Sequence, residues 1–179
     1  QRHRDRARPV RQGLVTPGTV TFRIPGHLAG KGRPRATLVG GHARLYTPAS
    51  TRTAEDRVRD AWRAAGSPYM GDGPLTLELV IGHERPAGHW TSRGELSAAG
   101  RRMPFPAKKP DADNQLKLVG DALNGCMWKD DAQFVEARVV KVWMARPSQA
   151  AYAVLSVAGA VEAGALLVPG MPASTLFNL

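Results

Sequence analysis

The chain has 179 residues, room for one domain with a single sizeable core, and 42% hydrophobic against 22% charged residues is a globular composition. Lys and Arg number 25 against 15 Asp and Glu, an excess that favours polyanionic partners, nucleic acid first, because each cation that neutralises a phosphate releases condensed counterions. A lone cysteine, Cys126, excludes a disulfide framework and a cysteine zinc site and points to a cytoplasmic setting, while no apolar run reaches the roughly 18 residues of a membrane-spanning helix.

Residues 1–18 carry Arg2, Arg4, Arg6, Arg8 and Arg11 with no apolar stretch behind them. They read as a basic flexible arm, not as a secretory signal. Residues 19–24 (TVTFRI) alternate apolar and β-branched side chains and predict a strand stopped by Pro25 and Gly26. The loop that follows, GHLAGKGRPR, interleaves Lys31, Arg33 and Arg35 with Gly and Pro. It lacks the spacing and the Ser/Thr of a P-loop, so no nucleotide cofactor is expected, and its cations are candidate phosphate contacts. Residues 44–47 predict a second short strand.

Residues 51–65 predict a helix with Ala54, Val58, Ala61, Trp62 and Ala65 on the buried stripe and Glu55, Asp56, Arg57 and Arg59 outside. Residues 75–81 (LTLELVI) give the strongest strand signal. Residues 83–107 are long, polar and aperiodic, and loops of that length are usually functional or disordered; metal ligation by the scattered histidines His83 and His89 is not expected. A helix then runs from a cap at Asp113 or Asn114 to Asn124 or Gly125, with Leu116, Val119, Ala122 and Leu123 at helical period. Strands at 135–144 and 151–157, joined by a turn at Pro147 and Ser148, close the domain. The tail, 159–179, is small and apolar, disordered or docked on a partner. The order of elements implies a single small α+β (α/β) domain over 19–158, with a mixed sheet and two main helices.

The chemistry concentrates in KKPDADNQLKLVGDALNGCMWKDD, residues 108–131. Asp111 and Asp113 stand two apart at the start of the helix, and Asp130 and Asp131 follow its end. Carboxylates suit a hard divalent cation such as Mg²⁺, which keeps waters and binds through one or two acids plus substrate phosphate. Asp131 joins the first pair if the next strand packs beside the helix N-terminus. Lys117, at i+4 from Asp113, shares its face and can orient a phosphate; Asp121 either pairs with Lys117 or serves the metal. Lys108 and Lys109 flank the acids, and Arg101 and Arg102 add charge upstream.

At these residues the sequence resembles the RusA family of Holliday-junction resolvases. The shared pattern is Asp111-Ala112-Asp113-Asn114 with Lys117, then Asp121-Ala122-Leu123-Asn124-Gly125, then Trp128-Lys129-Asp130-Asp131-Ala132-Gln133. Lys31-Gly32-Arg33-Pro34-Arg35 and Tyr46-Thr47-Pro48 resemble the family's opening segment. The resemblance implies a bacterial or phage-encoded homodimer that cuts four-way DNA junctions by paired nicks with Mg²⁺ or Mn²⁺, in recombination and repair. It implies Asp111, Asp113 and Asp131 as metal ligands with Asp130 adjacent, and Lys117 as an active-site lysine. The long segment 85–107 departs from the family pattern. Two other readings fit parts of the sequence: a non-catalytic branched-DNA-binding module, and a metal-dependent glycosyltransferase with a DxD motif. The latter's motif normally ends an apolar strand, whereas this one opens a helix.

Overall fold

The computed structural model describes residues 18–33, 35–40, 42–146 and 150–160. The basic arm up to residue 17, the Pro147–Ser148 turn and the tail from residue 161 lie outside the described residues. A four-stranded sheet carries the domain, built from β1 (Val20–Pro25), β4 (Leu75–His83), β5 (Phe134–Trp143) and β6 (Tyr152–Gly159) in the order β1-β6-β4-β5. β6 pairs antiparallel with both β1 and β4, while β4 and β5 run parallel. The sheet is therefore mixed, and the domain is α+β, as expected.

β4 is central and its alternation is the predicted one: Leu75, Leu77, Leu79 and Ile81 are buried on one face. Helix α1 (Ala49–Ala64) turns Thr51, Ala54, Val58 and Ala61 inward. Trp62 is only partly buried and Ala65, past the helix end, is exposed. The last residue of the predicted stripe therefore falls outside the helix. A further helix near the acids, described with the site below, packs beside α1 and completes the layer over the sheet.

The strand predicted at residues 44–47 is present as His42–Tyr46, whereas its partner strand and the elements within 83–107 escaped prediction. β2 (Arg35–Val39) pairs with β3 (His42–Tyr46) in a separate antiparallel hairpin that turns at Gly40, where φ is +60°. Strand β3 is exposed at every residue, with Leu45 76% accessible. The segment 83–107 is not featureless either. It contains a 3₁₀ turn at Ala87–His89, a bridge between Trp90 and Leu96, and the short helix α2 (Ala98–Arg102), capped by Ser97. Arg85 holds it together: its Nη1 donates to the carbonyls of Gly100 (2.9 Å) and Met103 (3.3 Å), and its guanidinium lies 5.3 Å from the Trp143 ring.

Leu79 is fully buried on the central strand. Leu79→Ala should cost about 2–5 kcal/mol, read as a lower urea midpoint with an unchanged slope in equilibrium unfolding.

Candidate active site

Helix α3 spans Ala112–Leu123, and its cap falls at Asp111, two residues before the nearer of the two predicted caps. Asp111 takes the N-cap position with extended backbone, yet its carboxylate makes no capping bond, and Asp113 falls in the first turn instead of capping. No hydrogen bond or ion pair among the described residues engages either carboxylate. Both are exposed, at the helix end whose unpaired N–H groups favour negative charge. Gln115, Leu118, Val119, Ala122 and Leu123 face inward, which leaves Asp113 and Lys117 on the solvent side.

The helix is pinned at both ends. At its start Lys141 of β5 donates from Nζ to the carbonyls of Lys108 (2.5 Å) and Pro110 (2.8 Å). The loop before β2 lies across the first turns: Gln115 Nε2 donates to the Leu28 carbonyl (2.6 Å), and Lys31 N–H donates to the Asn114 carbonyl (2.9 Å). At the far end Arg59 Nε donates to the Ala122 carbonyl (3.0 Å), a cation where the helix exposes its last acceptors.

The predicted basic loop divides. Lys31 turns its ammonium to Asp121 and, at 3.5 Å, to Glu55, with only 23% of its side chain accessible. It is a tie between α1 and α3, and Asp121 finds its cation there, not in Lys117. Glu55 is correspondingly tucked in, with 12% of its side chain accessible, and is not on the outer face the helical pattern assigns to it. Arg33 stays exposed and borders an open groove with Gly30, Lys31, Lys109, Asp111 and Asn114. Arg35 belongs to β2, and its side chain lies outside the described residues. Lys108 and Lys109 are exposed beside the acids, and Arg101 and Arg102 are exposed on α2.

The second acidic pair is elsewhere. Met127 and Trp128 are fully buried, with Trp128 edge-on to Phe134 at 4.8 Å, so that tryptophan packs the core. Gln133 then fixes the turn: its Oε1 accepts from the N–H groups of Lys129 (2.8 Å) and Asp130 (3.0 Å), and its Nε2 donates to the Gly71 and Gly73 carbonyls. Asp130 accepts from the Ala132 N–H at 2.9 Å, which spends one oxygen on a capping box. Asp131 is exposed, and no hydrogen bond or ion pair among the described residues engages its carboxylate.

The expected set of Asp111, Asp113, Asp130 and Asp131 does not converge within one chain. Strand β5 starts at the C-terminal end of α3, and only its far end, at Lys141, reaches the helix N-terminus. The two acidic pairs are thus separated by the length of a 12-residue helix, about 18 Å at ~1.5 Å per residue. Among the described residues no three His, Cys, Asp or Glu side chains form a group that could hold a metal. Asp111 and Asp113 alone still suit a hard cation, which needs one or two carboxylates with waters and phosphate.

Sequence reasoning missed Lys141 and Gln133. Lys141 reads as one more solvated residue in an alternating strand, and only the strand's passage under Pro110 gives it a task. Gln133 was part of the quoted motif without a role, although an acid followed three residues later by Gln is a capping-box signal.

The small α+β domain thus presents exposed acids on a helix N-terminus, flanked by Lys109 and Arg33. A profile of the endodeoxyribonuclease RusA family matches residues 25–150, and the chain belongs to that family. It is also 27% identical over 128 residues to the uncharacterized protein YqaN of Bacillus subtilis (strain 168), a match covering 72% of this chain and 90% of that protein. No helix among the described residues is long and apolar enough to cross a membrane.

His83 ends β4 behind this site and is buried. Burial, and secondarily the nearby Lys141 and His27, push its imidazole down to about 4. Between that value and the ordinary 6.5 the unfolded chain binds a proton that the folded chain refuses. Stability should therefore be full above pH 6.5 and fall as the pH drops towards 4, by about 2–4 kcal/mol. Urea unfolding at a series of pH values should show the slope in the wild type and lose this contribution in His83→Phe.

Proposed function

We propose that the protein is a divalent-metal-dependent endonuclease that resolves four-way DNA junctions by paired nicks in recombination and repair. The observation that carries this reading is the Asp111/Asp113 pair, whose carboxylates have no partner among the described residues, on a rigid helix N-terminus bordered by cations that suit a phosphate backbone. Asp111 and Asp113 would hold Mg²⁺, with Mn²⁺ as a substitute. Such an ion polarises a scissile phosphodiester and lowers the pKa of an attacking water. Lys117 lies one turn from Asp113 and aligns the phosphate and offsets the charge that develops on it. Arg33, Lys108 and Lys109 grip the strand on either side, and Arg101 and Arg102 extend the basic surface.

A two-fold homodimer suits a junction that needs two cuts. It also gives the second acidic pair a place in the chemistry. Asp131, remote from Asp111 in its own chain, joins the acids of the other copy, while Asp130 keeps its turn-capping bond. Among the described residues β5 is an edge strand and Val135 near Asp131 is exposed, an end of the domain that suits a second copy.

On a synthetic four-way junction with Mg²⁺, the wild type should nick two strands symmetrically and leave the matching linear duplex intact. EDTA should abolish cutting, and Asp113→Asn should lower it by at least a hundredfold while junction binding survives. Binding without cutting under any divalent metal would mark a non-catalytic branched-DNA-binding module instead.

Mixing inactive Asp113→Asn with inactive Asp131→Asn protein tests the shared site. Exchanged dimers would then contain one intact site and recover single-strand nicking, whereas sites built within one chain would stay dead.

A further inference from the structure

Lys109 borders not only the groove beside Asp111 but also a separate cavity of about 300 Å³, within the range of small-ligand pockets. Its walls come from four parts of the chain. His83 and Glu84 stand at the end of β4, and Trp143 at the end of β5, opposite His83 in the parallel register. Pro86 and Pro106 come from the two ends of the 83–107 segment, and His27 from the loop before β2. The lysines at 108 and 109 form a cationic border.

His83 is 6% accessible, and its Nε2 is buried without a hydrogen-bond partner among the described residues. A buried polar atom left unpaired costs about 1–3 kcal/mol, and the side chain that carries it lines the cavity, so a ligand atom that reached it would relieve that cost. His27 stands edge-on to it at 5.6 Å.

Resting on the reading of the chain as a DNA endonuclease, we infer that this cavity receives one unstacked nucleobase of the strand being cut, with its phosphate on Lys108 and Lys109. Flat walls of imidazole, indole and proline suit a base, which stacks on any such surface. The unpaired His83 nitrogen meets a polar atom on the base edge. A phosphate inside the cavity is disfavoured, because His83 stays neutral at ordinary pH and Glu84 adds negative charge. Bases at the centre of a four-way junction are the cheapest to unstack, since unpairing costs least where the duplex is already interrupted. The cavity would thereby help distinguish a branch point from a continuous duplex.

The test uses the full chain and a four-way junction carrying 2-aminopurine at single positions around the crossover, bound in EDTA so that no strand is cut. Wild type should change the emission at one or two positions at least threefold. His83→Gln, which keeps a hydrogen-bonding group, should retain the change, and His83→Phe should lose it. An abasic nucleotide at the responsive position should weaken wild-type binding about tenfold and binding by His83→Phe less than twofold. Iodouracil at that position should photocrosslink the wild type at His27, His83 or Trp143, a readout that stands even if His83→Phe fails to fold. No responsive position, equal responses in wild type and His83→Phe, or crosslinks only elsewhere would overturn the cavity assignment while leaving the endonuclease reading intact. Failure to bind the junction at all would overturn both.

Discussion

Two neighbouring strands that run in the same direction cannot be joined by a tight turn; the chain must travel back outside the sheet before the second can start. β4 and β5 are such a pair, and the connection between them, residues 84–133, carries nearly everything of chemical interest. It contains the Arg85-centred segment, the two lysines, both acidic pairs and α3. Because α3 makes the return journey, its N-terminus lies at the carboxyl ends of β4 and β5 and its C-terminus at their starts. The acids at its two ends are kept apart by the same requirement that makes the connection possible. Ligand sites of open α/β sheets gather at the carboxyl edge of parallel strands for a related reason. Here His83, Lys141 and Trp143 occupy that edge.

The polar fixings divide into those that shape the chain and those left for a substrate. Lys31, Glu55, Asp121, Arg59, Asp130, Gln133 and Lys141 are all engaged within the fold. Lys31, Arg59 and Lys141 tie elements together across long stretches of sequence, while Asp130 and Gln133 fix the turn before β5. Partly buried pairs such as Lys31 with Asp121 contribute more to geometry than their modest net energy suggests, since one partner alone would be left charged and poorly solvated. Asp111, Asp113, Lys117 and Asp131 fall in the second group, exposed charges on rigid supports, with Arg33, Lys108 and Lys109 beside them. That division, more than the count of acids, separates candidate chemistry from architecture in this chain.

Periodicity made much of the fold legible. Alternation in LTLELVI and the 3.6-residue pattern around Val58 and Val119 are direct consequences of one-sided burial, so β4, α1 and α3 were readable to within a few residues. The hairpin β2–β3 was half hidden because its first strand follows a run of Gly and Pro, and because an exposed ribbon buries nothing that would impose a pattern. Helix α2 is too short, at five residues, to show a period. The motif residues of the site were legible by spacing and by family resemblance. Their arrangement was not, because nothing in the spacing of Asp113 and Asp131 says that β5 begins at the wrong end of the helix. The tie made by Lys31 was hidden for a similar reason: its partner Asp121 is 90 residues away, and a lysine in a glycine-rich loop looks the same whether it faces a phosphate or a carboxylate.

β4 is held on both sides, by β5 in parallel and by β6 in antiparallel register, with His83 opposite Trp143 and Gly82 opposite Tyr152. A slip of one residue in such a strand would exchange its two faces. His83 would leave the cavity wall, and Ile81 would leave the core. Any sliding of β5 would carry Lys141 away from the carbonyls of Lys108 and Pro110. The sheet thus works as a vernier: agreement between two ladders on either side of one strand sets, to a fraction of a residue, where the helix bearing Asp111 and Asp113 comes to rest.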